Sequence, residues 1–446
     1  MDIIHIGGEN TVTGSCHLLK IAGLNIMIDC GMAQGYDSVP DIDKWPVSPK
    51  EIDYLFITHA HIDHIGRIPE LIQKGFVREI ICTHPTKILL GPMLEDGMKF
   101  SNISEKERVK CLKKIDEFSW GFEYGKYFDL KKGIRFKLGC AGHILGSSFV
   151  RFEDTGSGES VIFSGDLGAT NTPILPDPDP PEPCDLLVLE STYGNRVHEG
   201  RTSRIQRLGK MLTKALEDGG KVFIPAFALG RTQELLYEMD RLFSDPDLKK
   251  TFPDLTPDKK IPVFVDTPLG LRITAVYSNL SVFWDNEAKN LYRSGDHPID
   301  FDHLYAVSSH RAHEKLVETS GPAIILAGAG MCTGGRIINH LAAGIENPEN
   351  DVFFVGYQAK GTLGREILKY GRQPGGHIWI GNQKLQINAE IYQLSGYSAH
   401  ADADELTGWV ASMPEKPGKI KLVHGEPAAK QALASRLQGM GYNART

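Results

Sequence analysis

Apolar residues in the first part of the chain fall into short runs that are separated by glycine, proline and small polar residues. Short runs rich in Ile, Leu, Val and Phe between such breaks predict β-strands. The clearest runs cover residues 3–6, 17–20, 25–28, 54–57 and 79–82. Because dense punctuation by glycine and proline is typical of layered sheets, we predict a sandwich for this part of the chain.

From about residue 201 the pattern changes to helices that alternate with strands. Each apolar run there ends in a glycine- or proline-rich turn before a helical segment, which predicts a parallel sheet wrapped by helices. The predicted elements are a helix over 205–216, a strand over 221–225, a helix over 230–242, and strands over 261–265, 323–327 and 351–356.

The strand-rich pattern returns after about residue 372. The change and its reversal predict two domains, because a chain of 446 residues is too long for one ordinary core. We therefore predict that residues 1–200 and 373–446 form one domain and that residues 201–372 are an α/β domain inserted into it.

Three histidines and an aspartate stand within six positions directly after the apolar run 54–57: His59, His61, Asp63 and His64. Neutral imidazoles and a carboxylate are the ligands of catalytic zinc sites. Alternation through a tight turn would aim His59 and His61 at one ion, and Asp63 and His64 at a second. A solvated polar loop is the alternative, but a strand before the motif and a helix predicted over 65–74 give the expected context.

Three further candidate ligands, His143, Asp166 and His424, occur in order along the chain. Each lies where an apolar run gives way to a glycine-flanked turn, and such turns are where rigid elements present catalytic groups. Two ions in one site need more ligands than the first loop offers, so we expect these three residues to complete it.

This order of residues resembles the metallo-β-lactamase fold, whose members carry an HxHxDH loop, a later histidine, a bridging aspartate and a final histidine. Glu190 in the segment 187–194 and His400 in the segment 398–402 add a resemblance to the β-CASP nucleases, which cut RNA or DNA. Segments 225–231 and 356–364 are similar to parts of the inserted β-CASP domain. The whole chain resembles the short prokaryotic RNA-processing members, which are related to the nuclease of mRNA 3′-end cleavage.

The resemblance implies an α/β protein in which a metallo-β-lactamase αββα sandwich carries an inserted Rossmann-like β-CASP domain. It also implies two zinc ions per chain, and the expected ligands are His59, His61 and His143 for one ion, Asp63, His64 and His424 for the other, and Asp166 between them. Asp63 would serve catalysis as well. His400, oriented by Glu190, would protonate the leaving 3′ oxygen.

The implied activity is hydrolysis of single-stranded RNA by a two-metal hydroxide mechanism that leaves a 5′-phosphate and a 3′-hydroxyl, with internal cleavage expected. A histidine at the last motif position, here His424, is typical of the RNA-processing members. A DNA nuclease of the same family is the main alternative. A glyoxalase-like thioester hydrolase would share the metal loop but would need neither His400 nor Glu190.

Glycine-rich turns over 327–335 and 361–365 predict contacts to the substrate, because backbone amides at helix starts bind phosphate. Glycine is equally common at such turns for packing or capping. The substrate-binding candidates are Arg231, Thr333, Lys360, Thr362 and Ser398. Arg231 is also a candidate partner for an acid. His310 and His313, three residues apart in a charge-mixed segment, predict a solvated helix face instead.

The chain has 49 Lys and Arg against 56 Asp and Glu, a net charge of −7. This argues mildly against nucleic acid, whose binding usually leaves a basic footprint. A groove that metals and backbone amides make locally positive would bind phosphate without a basic protein surface.

Seven scattered cysteines without a CxxC pair exclude a cysteine-zinc ribbon and favour a reducing cytoplasm. The chain shows no apolar run near the roughly 18 residues of a membrane span, and its first residues do not resemble a signal peptide. We therefore expect a soluble cytoplasmic protein that acts on RNA and has no membrane partner. The family resemblance is compatible with a homodimer.

Overall fold

The computed structural model describes residues 1–100, 103–200 and 203–446. It divides into two compact units: the sandwich unit, Met1–Val197 with Ala399–Thr446, and the inserted unit, His198–Ser398. Within the described part of the chain, no helix is both long enough and apolar enough to cross a bilayer.

The secondary structure follows the predicted change of pattern along the chain. The first part of the sandwich unit contains β1 (Asp2–Gly7), β2 (Cys16–Ile21), β3 (Leu24–Ile28), β4 (Tyr54–Phe56), α1 (Ile62–Ile65), α2 (Ile68–Gln73), β5 (Glu79–Thr83), α3 (His84–Gly97), α4 (Glu105–Phe118), β6 (Ser119–Phe122), β7 (Tyr127–Asp129), β8 (Ile134–Cys140), β9 (Ser148–Asp154), β10 (Ser160–Phe163) and β11 (Leu186–Leu189). The inserted unit contains α5 (Arg204–Leu216), β12 (Lys221–Pro225), α6 (Arg231–Ser244), α7 (Pro246–Thr251), β13 (Val263–Asp266), α8 (Pro268–Asn279), α9 (Asn286–Arg293), β14 (Leu304–Ala306), α10 (His310–Glu318), β15 (Ala323–Ala327), α11 (Ile337–Gly344), β16 (Asp351–Phe354), α12 (Leu363–Tyr370), β17 (His377–Ile380), β18 (Gln383–Gln386) and β19 (Glu390–Gln393). The closing part of the sandwich unit contains α13 (Ala403–Ala411), β20 (Lys419–Leu422), α14 (Pro427–Gly439) and β21 (Ala444–Arg445).

The sandwich unit consists of two sheets, with strand orders β1-β2-β3-β4-β5-β6 and β21-β20-β11-β10-β9-β8-β7. Apolar side chains from both sheets fill the space between them. The ring of Phe56 on β4 lies edge-on to Phe136 and Phe152 of the other sheet, with centroids 4.9 and 4.7 Å away. A second core joins the other face of the β20-β11-β10 region to α13 and α14. This layering is the predicted αββα sandwich.

The inserted unit has a sheet of order β14-β13-β15-β12-β16-β19, in which every pairing is parallel. The predicted parallel α/β domain is therefore confirmed. Sequence pattern placed its second boundary after residue 372, whereas the compact unit extends to Ser398. The reason is β19, which pairs with β16 over Asp351↔Glu390 to Phe354↔Gln393 and so belongs to this sheet.

Two local expectations differ from the structure. The helix predicted over 65–74 is broken at Gly66 and Arg67 into α1 and α2, because the Arg67 N–H bonds to the Cys30 carbonyl at 2.9 Å instead of continuing the helix. The solvated helix face predicted for His310 and His313 is wrong for His313. His313 is buried, and its Nδ1 lies 2.5 Å from Oδ2 of Asp266, a partner distant in sequence that the local charge pattern does not reveal.

Candidate metal centre

The predicted ligands converge at one edge of the sandwich unit, because the strands that precede them end there. Strands β10, β11 and β20 are parallel neighbours, and β8 has the same direction as β10 because each is antiparallel to β9. The carboxyl ends of strands with one direction meet at one edge of a sheet. The residues that follow these strands are His143 after β8, Asp166 after β10, Glu190 after β11 and His424 after β20.

The first group of ligand atoms consists of His59, His61 and His143. Nδ1 of His61 lies 3.1 Å from Nε2 of His59 and 3.1 Å from Nε2 of His143. Ligands bound about 2.1 Å from a tetrahedral ion stand roughly 3.4 Å apart. The three nitrogens are therefore spaced as ligands of one ion would be.

The second group consists of Asp63, His64 and His424. Oδ2 of Asp63 lies 3.9 Å from Nε2 of His64 and 3.7 Å from Nε2 of His424. The two imidazole nitrogens are 3.3 Å apart. These separations also match a single ion.

Asp166 connects the two groups. Its Oδ2 lies 3.6 Å from Nε2 of His59, 3.7 Å from that of His143 and 3.3 Å from that of His64, while its Oδ1 lies 3.6 Å from Nε2 of His424. Oδ1 is buried and accepts no hydrogen bond from any described residue. A buried carboxylate oxygen without a donor is costly, and a cation shared by the two groups would satisfy it.

Burial and charge set the protonation of the cluster. Burial lowers the pKa of His59 and of His143 well below the ordinary value, so both imidazoles are neutral, as metal ligands must be. Burial also lowers the pKa of His64, but the carboxylates of Asp166 and Asp29 outweigh it and raise that pKa well above the ordinary value. The carboxylates therefore require positive charge here, which a divalent cation supplies in place of protons.

Divalent metal ions fit this site for three reasons. The donors are imidazole nitrogens and carboxylate oxygens, their atoms have the spacing of metal ligands, and Oδ1 of Asp166 is buried without a hydrogen-bond donor among the described residues. Within the first group, and likewise within the second, the three ligand atoms lie within 4.8 Å of one another. The sandwich unit thus carries a metal-binding cluster of histidine and aspartate.

Backbone contacts position His424, which adopts a left-handed conformation with φ 48°. Its N–H donates to the Gly8 carbonyl at 2.6 Å, and its carbonyl accepts from the Ser191 N–H at 3.1 Å. Nδ1 lies 3.1 Å from Oγ1 of Thr192. A non-glycine residue with positive φ is uncommon, so these bonds hold the ring toward the cluster at some conformational cost.

Asp29 is a residue of the site that sequence reasoning missed. Its carboxylate accepts hydrogen bonds from the Thr58 N–H at 2.8 Å and from Oγ1 of Thr58 at 2.9 Å. Its Oδ2 also lies 2.7 Å from Nδ1 of His64. The available signal was its position directly after a predicted strand and before Gly31. Asp29 therefore orients His64 and the start of the ligand loop.

We expect the substitution Asp29→Asn to weaken metal binding about 10- to 100-fold, because it removes the charge behind His64. Competition with a chromogenic chelator measures the affinity. Asp37→Asn is a matched control, since Asp37 likewise accepts bonds from a backbone N–H and the hydroxyl of one threonine, Thr13, and lies outside the cluster. Equal metal affinity in the two variants would contradict the orienting role of Asp29.

His400 and Glu190 form a pair beside the cluster. Nδ1 of His400 lies 3.2 Å from both carboxylate oxygens of Glu190 and 3.9 Å from Oδ2 of Asp166. Glu190 is itself fixed, because its Oε1 accepts the Leu167 N–H at 2.6 Å. Burial lowers the pKa of His400, but the carboxylates of Glu190 and Asp166 outweigh it and raise the pKa to about 8. An imidazolium held in this way is suited to donate a proton.

The five predicted substrate-binding residues all belong to the inserted unit, whereas the cluster belongs to the sandwich unit. Thr333 and Lys360 are exposed, and Ser398 is buried. Thr362 caps α12, because its Oγ1 accepts the Arg365 N–H at 3.4 Å. Arg231 is buried against the carboxylate of Glu234, the acid-partner alternative.

Three family models together match most of the chain. A metallo-beta-lactamase superfamily model matches residues 10–226, a Beta-Casp domain model matches 232–367, and a model of a Zn-dependent metallo-hydrolase RNA specificity domain matches 384–446.

Several curated proteins are similar over nearly the whole chain. Ribonuclease TTHA0252 of Thermus thermophilus is 34% identical over 443 residues, which are 98% of this chain and 96% of that protein. Cleavage and polyadenylation specificity factor 73 of Drosophila melanogaster is 30% identical, and the match covers 98% of this chain and 62% of that protein. Transcription termination factor FttA of Methanosarcina mazei is 30% identical, with coverage of 96% and 68%.

The fold also occurs among solved structures, of which one example is a protein of unknown function from Enterococcus faecalis V583. It has a TM-score of 0.52 with 12% identity, over 95% of this chain and 93% of that one. At this identity the likeness concerns the fold alone.

Proposed function

This chain belongs to the β-CASP family of metallo-β-lactamase-fold hydrolases, and on that basis we propose that it is a zinc-dependent ribonuclease that cleaves single-stranded RNA internally. The observation that carries the proposal is the convergence of seven histidine and aspartate ligands on one edge of the sandwich, with the His400–Glu190 pair beside them.

The proposed ligands of two zinc ions are His59, His61 and His143 for the first, Asp63, His64 and His424 for the second, and Asp166 for both. When bound, the metals would polarise the scissile phosphate and provide an activated water as the nucleophile. Five of the seven ligand side chains are buried, namely His59, His64, His143, Asp166 and His424, and such fixed ligands would determine where the phosphate is attacked.

His400 is the proposed general acid. Its Nδ1 donates to Glu190, so Nε2 is the nitrogen that delivers a proton to the leaving 3′ oxygen. The carboxylate of Glu190 stabilises the imidazolium before the transfer and fixes the ring orientation. The products would be a 5′-phosphate and a 3′-hydroxyl.

Single-stranded RNA is the proposed substrate. The ribonuclease name of the Thermus relative and the RNA specificity model over 384–446 support it. DNA is the second candidate, because hydrolytic attack on phosphorus does not involve the sugar, and only contacts to the 2′-hydroxyl discriminate. A small thioester would leave His400 and Glu190 without a role.

The experiment that tests the proposal uses zinc-loaded protein with one single-stranded RNA and its DNA counterpart, each labelled at the 5′ end. We expect internal cuts in RNA alone, abolished by a chelator and restored by zinc. Release of mononucleotides would show that the enzyme is an exonuclease and does not cut internally. Equal cleavage of DNA would overturn the RNA assignment. Cleavage of neither nucleic acid would overturn the nuclease proposal.

We further propose that the protein acts in the reducing cytoplasm. The seven cysteines are buried and form no disulfide within the described residues, which supports this assignment. The family resemblance is also compatible with a homodimer, and the molar mass in solution tests that directly.

A further inference from the structure

Strands β17 and β18 form a two-stranded ribbon in the inserted unit, which we call the 377–386 ribbon. The strands pair antiparallel from His377↔Gln386 to Ile380↔Gln383 and join through Gly381 and Asn382. Gly381 has φ 59°, as the first central residue of a tight hairpin turn requires. The ribbon is therefore a defined hairpin.

The two faces of the ribbon differ in chemistry because side chains alternate along a strand. Ile378 and Leu385 are buried in the core of the inserted unit, so the inner face holds the ribbon in place. The outer face is exposed and consists of His377, Trp379, Lys384 and Gln386.

Trp379 is the centre of that outer face. Its side chain is 57% exposed, and Lys384 lies directly opposite it across the ribbon. An exposed indole on a defined hairpin offers a flat face on which a base can stack. An indole beside an ammonium is the pair that binds a nucleobase and its phosphate in single strands.

Charge around the ribbon differs from charge elsewhere on the chain. Between Glu366 and Glu390 there is no acidic residue, although the chain as a whole has 56 Asp and Glu and a net charge of −7. The same stretch contains Lys369, Arg372 and Lys384. An acid from elsewhere in the chain contacts the ribbon: Glu346 accepts the Gln386 N–H at 2.9 Å. This carboxylate therefore lies at the open end of the ribbon, away from the turn.

A second exposed tryptophan, Trp120, lies in a stretch of different charge from that around Trp379. Trp120 on the edge strand β6 is 55% exposed, but the charges near it in sequence are of both signs, and Lys113 and Lys126 are paired with Glu117 and Glu123. Because these lysines pair with acids, they attract phosphate less than the lysines and arginine between Glu366 and Glu390, where there is no acid.

We propose that the outer face of the 377–386 ribbon is an accessory contact for single-stranded RNA, in which one base stacks on Trp379 and Lys384 binds the adjacent phosphate. This inference rests on the proposed ribonuclease function and deepens it. The ribbon contributes none of the proposed metal ligands, so the contact would raise affinity for RNA without taking part in chemistry.

Binding of a labelled single-stranded RNA to the Asp63→Ala protein, in which cleavage is suppressed, tests the proposal. In that background we expect Trp379→Ala to weaken binding about tenfold, and Trp379→Phe to restore most of the affinity because a stacking face remains. We expect Lys384→Ala to reduce the slope of log affinity against log salt by about 0.7, the value for one phosphate of a single strand. Trp120→Ala is the matched control and should change neither quantity.

Equal affinity of the Trp379→Ala and Trp120→Ala proteins would overturn the ribbon contact. If the parent enzyme cleaves RNA while Trp379→Ala binds RNA normally, the ribbon proposal fails alone. If the parent cleaves no RNA but Trp379→Ala still loses RNA affinity, the ribonuclease proposal fails and the RNA contact stands. An unchanged salt slope for Lys384→Ala would remove the phosphate contact from the proposal.

Discussion

Replacement of Asp63 by alanine is expected to abolish RNA cleavage, with a loss in turnover of about a thousandfold or more. Oδ2 of Asp63 stands within 3.7 and 3.9 Å of the nitrogens of His424 and His64, so its removal breaks the second ligand group. Stabilisation of developing charge by a bound metal is worth several kcal/mol, and each 1.36 kcal/mol is a factor of ten in rate. Turnover of the labelled RNA is the measurement.

Metal analysis of the same variant shows whether the loss has the proposed cause. We expect about one metal ion fewer per chain, because only one of the two ligand groups is broken. Asp43→Ala is the control, since Asp43 is an exposed aspartate that pairs with Lys74 and such surface pairs contribute little. Full metal content together with full activity in Asp63→Ala would contradict the assignment of the second group.

Replacement of His400 by alanine is expected to slow cleavage about 10²- to 10⁴-fold, the usual contribution of a positioned general acid. Metal content should stay at the level of the parent protein, because the imidazole of His400 is hydrogen-bonded to Glu190. Its Nδ1 is 3.9 Å from Oδ2 of Asp166. Single-turnover cleavage separates this effect on chemistry from product release. His310→Ala, which removes an exposed histidine, is the control.

The double variant decides whether His400 and Glu190 act as one unit. Glu190→Gln keeps the shape of the side chain but removes the charge that stabilises the imidazolium. If Glu190 acts through His400, adding Glu190→Gln to His400→Ala produces no further loss. Additive losses in rate would show that Glu190 acts separately from His400. If His400→Ala lost as much metal as Asp63→Ala, His400 would be a metal ligand.

Some properties of this protein follow from local sequence. Strand and helix preferences depend on neighbouring residues, so the sandwich, the inserted parallel sheet and the positions of His143, Asp166 and His424 after apolar runs were predictable. The ligand loop 59–64 is also local: four ligand residues follow one strand, and a tight turn brings them together. The family motifs added Glu190 and His400.

Only the tertiary structure revealed the features that depend on contacts between distant residues. Asp29, which follows β3, orients His64 in α1; Asp266 is the partner of the buried His313; and β19 extends the inserted sheet by pairing with β16. Likewise, the exposure of Trp379 on one face of a ribbon follows from how the opposite face packs in the core. Local sequence determines which residues are present and how each segment folds, whereas packing between segments decides which side chains are buried, paired or left at the surface.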